Sequence, residues 1–340
     1  MKSLLNKSAS KKKPGEQGRR LTSLLALDFS ASGVKAVRLK KVKDRILLSG
    51  ADILPSVNLE AGERPELPKS LSAYYTAICT GSPEARLRVF GHVMQDGEKL
   101  PDVIRENLSV SDEYRVAGRV LLEGRGKRES SILGVAFPEA SIHRCLEIFA
   151  NGAPAPHSME LSGLAAFSAF LYNRGKQTAG QTVCLLEIGM NYTYAAFLHK
   201  NRLQLINRFD VGGSNLRKQV QTALGVDMEM AGSILADGSV DVAAPVRTAL
   251  SPFVKQLSIY REFVERQTKS TLSGVYLSGG EAVSAHWQNA VQEVTGLVPV
   301  VWSPFDKLDG VSDALPETLK GQEPRFAAAV GAALAGLEAI

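Results

Sequence analysis

Two stretches of the chain repeat one pattern, and the repetition limits the folds open to it. Leu24-Leu25-Ala26-Leu27 is an apolar run of strand length that ends in Asp28. Thr182-Val183-Cys184-Leu185-Leu186 is a second such run, and it ends in Glu187. After the first acid comes a turn of small residues, Ser30-Ala31-Ser32-Gly33. An alternating run follows, in which Val34, Ala36, Val37 and Leu39 are interleaved with Lys35, Arg38 and Lys40. That alternation predicts a β-hairpin, and residues 45–54 predict a third strand ending at Pro55. After the second acid, residues 192–198 and 203–211 flank a basic turn at Lys200, Asn201 and Arg202, so three consecutive strands are expected again. This is an internal duplication and not a solenoid repeat. By itself the first hairpin tip has two readings. Small residues let backbone N–H groups approach an anion while the acid holds a hydrated cation, or Ser and Gly serve only the turn.

Between and after these blocks the chain alternates helical and extended patterns. Residues 69–79 predict a helix, with Leu71, Tyr74, Tyr75 and Ile78 at helical spacing. Strands are expected at 86–93, 115–122 and 130–137, a helix with Pro101 in its first turn at 100–108, and a charged turn at 123–129. Residues 139–150 predict an amphipathic helix, residues 160–172 a buried one, and residues 173–181 a linker. Val211-Gly212-Gly213-Ser214 reads as a glycine turn into a helix, with Ser214 as N-cap. Helices follow at 228–236 and 242–269, the latter interrupted early by Pro245 and Pro252. A strand at 274–277 runs into Ser278-Gly279-Gly280-Glu281 and a helix at 282–295. A strand at 297–301 and a small-residue helix at 324–339 complete the pattern.

Charge separates the tail from the body. The chain carries a net +5, but residues 1–20 hold seven Lys and Arg against Glu16 alone, which leaves residues 21–340 at −1. The basicity is therefore a tail property, and a nucleic-acid-binding body is not indicated. The tail composition predicts disorder. It suits either contact with anionic lipid or a solubilising extension. Leu4 and Leu5 are too few for a signal-peptide core, and the longest apolar run, residues 326–337, is short for a membrane span. Cys79, Cys145 and Cys184 are widely spaced, which predicts neither a disulfide framework nor a metal site, and a cytoplasmic location. No Ser-His-Asp, Cys-His or Walker A arrangement is present.

Taken together, these motifs resemble the actin-like nucleotide-binding superfamily, and within it the PilM-type pilus assembly proteins, with the cell-division protein FtsA more distant. The residues that carry the resemblance are 25–39 for a first phosphate loop and Leu186-Glu187-Ile188-Gly189 for a second. Val211-Gly212-Gly213-Ser214-Asn215-Leu216 with Ala223-Leu224-Gly225-Val226 is a third match. Leu277-Ser278-Gly279-Gly280 for an adenosine loop and Ser303-Pro304-Phe305 complete the set. The resemblance implies an α/β, actin-like (ribonuclease H-like) two-lobed fold with an inserted α+β subdomain in the first lobe. The implied domains are a tail at 1–22, a first lobe at 23–84 continuing with its linker at 151–177, and an insert at 85–150. A second lobe at 178–323 and a helix at 324–340 returning to the first lobe follow.

For function, the resemblance implies a cytoplasmic scaffold of a type IV pilus or related secretion apparatus, peripheral to the inner membrane. Its partner would be the cytoplasmic N-terminal peptide of a PilN-like bitopic inner-membrane protein. Self-association is left open. ATP and Mg²⁺ are implied between the lobes, held by Asp28, Ser30, Ala31, Ser32, Gly33, Lys35, Glu187, Gly189, Gly212, Gly213, Ser278, Gly279 and Gly280. Asp28 and Glu187 would face Mg²⁺ through water. Glu160 falls where superfamily enzymes carry a water-positioning group, though an acid favoured at a helix N-terminus is its simpler reading.

Departures from the family pattern accompany the matches. Ser30 stands where Gly is usual and crowds a phosphate approach. Glu187 replaces the usual Asp, Glu281 replaces the third glycine of the adenosine loop, and residues 231–235 lack the adenosine-contacting Glu/Lys pair. Each lost contact is worth about 1 kcal/mol, so the expectation is weak or degenerate ATP binding. Two alternatives use the same fold: an ATP-dependent small-molecule kinase, and an FtsA-like filament former at the membrane.

Overall fold

Leu24 to Leu27 are fully buried, and a strand whose every residue is apolar needs cover on both faces. The computed structural model, which describes residues 21–59, 61–124, 128–150 and 152–338, supplies that cover. Residues 1–20, most of the expected basic tail, and 125–127 of the charged turn lie outside the described residues. The chain divides into two units, one running to Asn173 and resuming at Pro304, the other spanning Arg174–Ser303.

The first unit opens with β1 (Ser23–Ser30), β2 (Gly33–Val42) and β3 (Arg45–Leu54), an antiparallel meander of the three expected strands. Next comes β4 (Tyr75–Thr80), which pairs parallel with β1. Here the predicted helix at 69–79 is corrected. Only Lys69–Leu71 form a single 3₁₀ turn, and the following residues are extended. The burial of Thr76 through Thr80 in the sheet overrides the helical spacing of the apolar residues.

An inserted layer follows, made of β5 (Arg86–His92), α1 (Leu100–Leu108), β6 (Tyr114–Leu122) and β7 (Ser130–Pro138). Its three strands are antiparallel in the order β5-β7-β6, and Phe90, Val103, Ile104 and Ile132 form a small separate core with α1. Then α2 (Glu139–Glu147) leads to β8 (Ala155–Leu161), parallel to β4. The predicted helix at 160–172 begins only at Ser162, as α3 (Ser162–Arg174). Glu160 is thus a strand residue, and its reading as a helix N-terminal acid falls. The sheet order is β3-β2-β1-β4-β8.

The second unit repeats this plan with β9 (Thr182–Ile188), β10 (Thr193–His199) and β11 (Arg202–Phe209). After them come α4 (Gly213–Leu224), α5 (Met228–Asp237) and α6 (Ala243–Thr268). The unit closes with β12 (Gly274–Ser278), α7 (Ala285–Thr295) and β13 (Val300–Val301). Its sheet order, β11-β10-β9-β12-β13, matches the first sheet position for position: a three-stranded meander and then two parallel strands. The duplication legible in the sequence is a duplication of topology.

Pro245 and Pro252 do not break α6. Pro245 sits in its first turn, where its missing N–H has no helical acceptor to lose. Pro252 lies mid-helix on the exposed face, while Leu250, Phe253 and Leu257 anchor the helix to the core. Phe253 packs edge-on between Phe209 and Trp287, with ring centroids 5.0 and 5.1 Å away.

The chain then returns to the first unit with α8 (Val311–Ala314) and α9 (Ala327–Gly336). All of Ala327 to Leu334 is buried. A helix apolar all round belongs inside a core, and α9 packs on β1, β2, β4 and β8. Gly331 lies so close to α3 that a Cβ there would overlap the Ala165 carbonyl.

Candidate functional site

The hairpin of β1 and β2 places Asp28 directly opposite Lys35, and Ala31-Ser32 form its two-residue turn. Gly33, at φ +101°, has no room for a side chain, since a Cβ would meet the Leu54 carbonyl oxygen at 2.6 Å. Lys35 is 3% exposed. Its Nζ donates to Ser30 Oγ at 2.5 Å, Ser32 Oγ at 2.6 Å and the Gly33 carbonyl at 3.2 Å. Three acceptors match the three protons of an ammonium group. The lysine expected to face a phosphate is therefore held by the turn's own hydroxyls, and Ser30, the departure from glycine, supplies one of them.

Behind the hairpin, β1, β4 and β8 lie side by side with Asp28, Cys79 and Glu160 in register. Ser162 Oγ donates to Asp28 Oδ1 at 2.8 Å, and Cys79 Sγ approaches Ser162 Oγ at 3.6 Å. Burial pushes the Asp28 carboxyl above its usual range, opposed by the Lys35 charge and by hydrogen bonds from Ser162 and Cys79. Glu160, 6% exposed, is pushed up by burial to about 7. Asp28 and Glu160 are thus brought onto one level of one sheet. Cys79 and Ser162 complete the cluster and were not singled out from the sequence as site residues. The signal was there in Glu160-Leu161-Ser162-Gly163, an acid followed by small residues as at Asp28, but reading 160–172 as one helix hid it.

In the second unit the remaining candidates converge. Ser278 at the end of β12 is in register with Glu187. Gly279, at φ +93°, packs against Ile188, and the Glu281 N–H donates to the Ile188 carbonyl at 3.1 Å. The Gly213 and Ser214 amides donate to the Gly189 and Met190 carbonyls at 3.1 and 2.8 Å. Gly212, not Ser214, is the N-cap of α4, and its own N–H is taken by Asn215 Oδ1 at 2.9 Å. A Cβ at Gly212 would meet the Met190 carbonyl oxygen at 2.5 Å, and one at Gly213 would overlap the Glu281 carboxylate. Arg217 Nη2 lies 3.9 Å from Glu281 Oε1. So the amides at the start of α4, the usual anion-binding groups of a helix, are used by the protein's own carbonyls and covered by its own acid.

Lys35 is occupied by Ser30 and Ser32, and the Gly212-Gly213 cradle is filled by Met190 and Glu281. Among the described residues, no group of three or more His, Cys, Asp or Glu side chains is placed to hold a metal ion. Among them also, no helix is long and apolar enough to cross a membrane.

Comparison with known proteins sets this architecture in a family. A family model described as type IV pilus assembly protein PilM matches residues 162–337. Among solved structures, the chain is similar to one titled PilM-PilN type IV pilus biogenesis complex, with a TM-score of 0.79 and 16% identity over 94% of this chain and 99% of that one. More distant likenesses include the ethanolamine utilization protein EutJ from Carboxydothermus hydrogenoformans (TM-score 0.48, 12% identity, 92% and 89% of the chains). An archaeal actin homolog is another (TM-score 0.45, 12% identity, 94% and 100%). No curated protein matches by sequence. The fold is actin-like. With more than half of its length matched by the family model, the chain belongs to the family of the type IV pilus assembly protein PilM.

Proposed function

We propose that this protein is a non-catalytic scaffold of a type IV pilus apparatus that binds the cytoplasmic N-terminal peptide of a PilN-like inner-membrane protein. The observation that carries the reading is the match of the whole fold, 94% of this chain on 99% of the other, to a structure of a PilM-PilN complex. Membrane association would come through that partner, at the cytoplasmic face.

The first unit offers a surface suited to an extended peptide. A cavity of about 240 Å³ is lined by Arg64, Ser72, Ala73, Ala153 and Pro154, and Tyr74, next in the chain, is 83% exposed. Arg64 is fixed there by a 2.5 Å hydrogen bond to the Ala153 carbonyl and by stacking over Phe149. An exposed aromatic beside a positioned arginine is the composition of a binding hot spot. The test is fluorescence anisotropy with the N-terminal peptide of a bitopic membrane protein encoded beside this chain. Saturable binding is expected, absent for a scrambled peptide, and Tyr74→Ala should weaken it about tenfold. A peptide that fails to bind at any attainable concentration removes the reading.

In the same proposal the nucleotide loops are degenerate. Mg²⁺-ATP, titrated calorimetrically, should bind no tighter than about 1 mM, with Asp28→Ala indistinguishable from the wild type. Micromolar binding that Asp28→Ala abolishes would restore a working nucleotide site built on Asp28, Lys35, Glu187 and the Ser278-Gly279-Gly280 loop.

A further inference from the structure

Within the second unit, α6 and α7 enclose a groove of about 450 Å³. Val246, Leu250 and Val254 from α6 and Ala290 from α7 line it, so its floor is apolar and continuous with the core beneath. Above that floor stand Arg247 and Lys255 on α6 and His286 on α7. None of these three enters an ion pair or side-chain hydrogen bond with any described residue. Arg208, Arg217, Arg261 and Arg266 each have a carboxylate within 4 Å. Arg247, Lys255 and His286 have none, and the lining beside them includes a single acid, Glu293.

We propose that this groove docks an acidic amphipathic helix of a partner protein, at a site separate from the peptide surface of the first unit. Arg247 and Lys255 are eight residues apart, about 12 Å along the helix axis. The lining runs from Ala243 to Lys255 on α6, about 18 Å, or roughly three helical turns. A helix laid between two helices buries apolar residues at i, i+3, i+4 and i+7. Acids two turns apart on its flank would then meet Arg247 and Lys255, with His286 available from the opposite wall. Charge complementarity of this kind sets partner choice and orientation more than raw affinity.

The test uses the full chain and a displayed library of random 14-residue peptides. The expected binders share apolar residues at helical spacing with Asp or Glu seven or eight residues apart. Arg247→Glu with Lys255→Glu, at two exposed positions, should weaken them at least tenfold. Binding of the PilN-type N-terminal peptide should be unchanged, so loss of one interaction is distinguishable from loss of the other. The proposal is overturned if the selected peptides are basic or lack acids, if the charge reversal leaves their affinity within twofold, or if nothing is selected. It is equally overturned if the charge reversal instead abolishes binding to phosphatidylglycerol vesicles, which would assign the face to a membrane.

Discussion

Gly331→Val is expected to cost more than about 3 kcal/mol of stability, enough to lose much of the soluble chain. Gly331 is buried in the middle of α9, and a Cβ built there overlaps the carbonyl carbon and oxygen of Ala165 in α3. The obstacle is backbone, so no side-chain rotation relieves it. Nor can α9 retreat easily, because its other sides are packed on β1, β2, β4 and β8, and a Cβ at Gly336 would already press on Leu24. Urea denaturation compares the variant with Ala244→Val, an exposed position of α6, which should shift the midpoint little. A melting temperature for Gly331→Val within about 2 °C of the wild type would mean that α9 does not lie against α3.

A second large effect is expected at Glu160, and it depends on pH. Burial raises its carboxyl from an ordinary 4.5 to about 7. Between those values the native chain holds a proton that the unfolded chain has released. Stability therefore falls as pH rises from 4.5 and levels off above 7. At about 1.4 kcal/mol per pKa unit, the loss is on the order of 3 kcal/mol at pH 8. Glu160→Gln keeps the neutral shape, so it should leave stability unchanged near pH 4 and raise it by up to that amount at pH 8. Asp28, also raised by burial, slopes in the same direction from a lower pH and remains in both proteins, which keeps the comparison clean. Denaturation midpoints from pH 4 to 8 give the answer, and parallel curves for the two proteins would contradict it.

The topology was legible because it rests on strands whose apolar runs and terminal acids are local. Asp28 and Glu187 mark the two sheets, and the small residues after each set the turns. What misled the sequence reading was burial on both faces. Residues 75–80 are an interior parallel strand whose run carries no period of two and passes for helix, and residues 160 and 161, read as the start of a helix, end the parallel strand 155–161. The cluster around Asp28 stayed hidden for that reason, since Cys79 and Glu160 join it only through strand register. Departures at Ser30 and Glu281 could be read as substitutions, but not their destinations. That Ser30 turns onto Lys35 and Glu281 onto Gly213 is tertiary information. Arg217, which reaches toward Glu281 from the first turns of α4, gave no sequence signal beyond being one arginine among many.

Calorimetric titration of the full chain with the N-terminal peptide of a bitopic membrane protein encoded beside it, with and without Mg²⁺-ATP, tests the central claim most directly. A scaffold whose nucleotide loops are satisfied internally should bind the peptide one to one with the same affinity, within about twofold, in both conditions. Absence of binding, or binding that appears only when Mg²⁺-ATP is present, would contradict it.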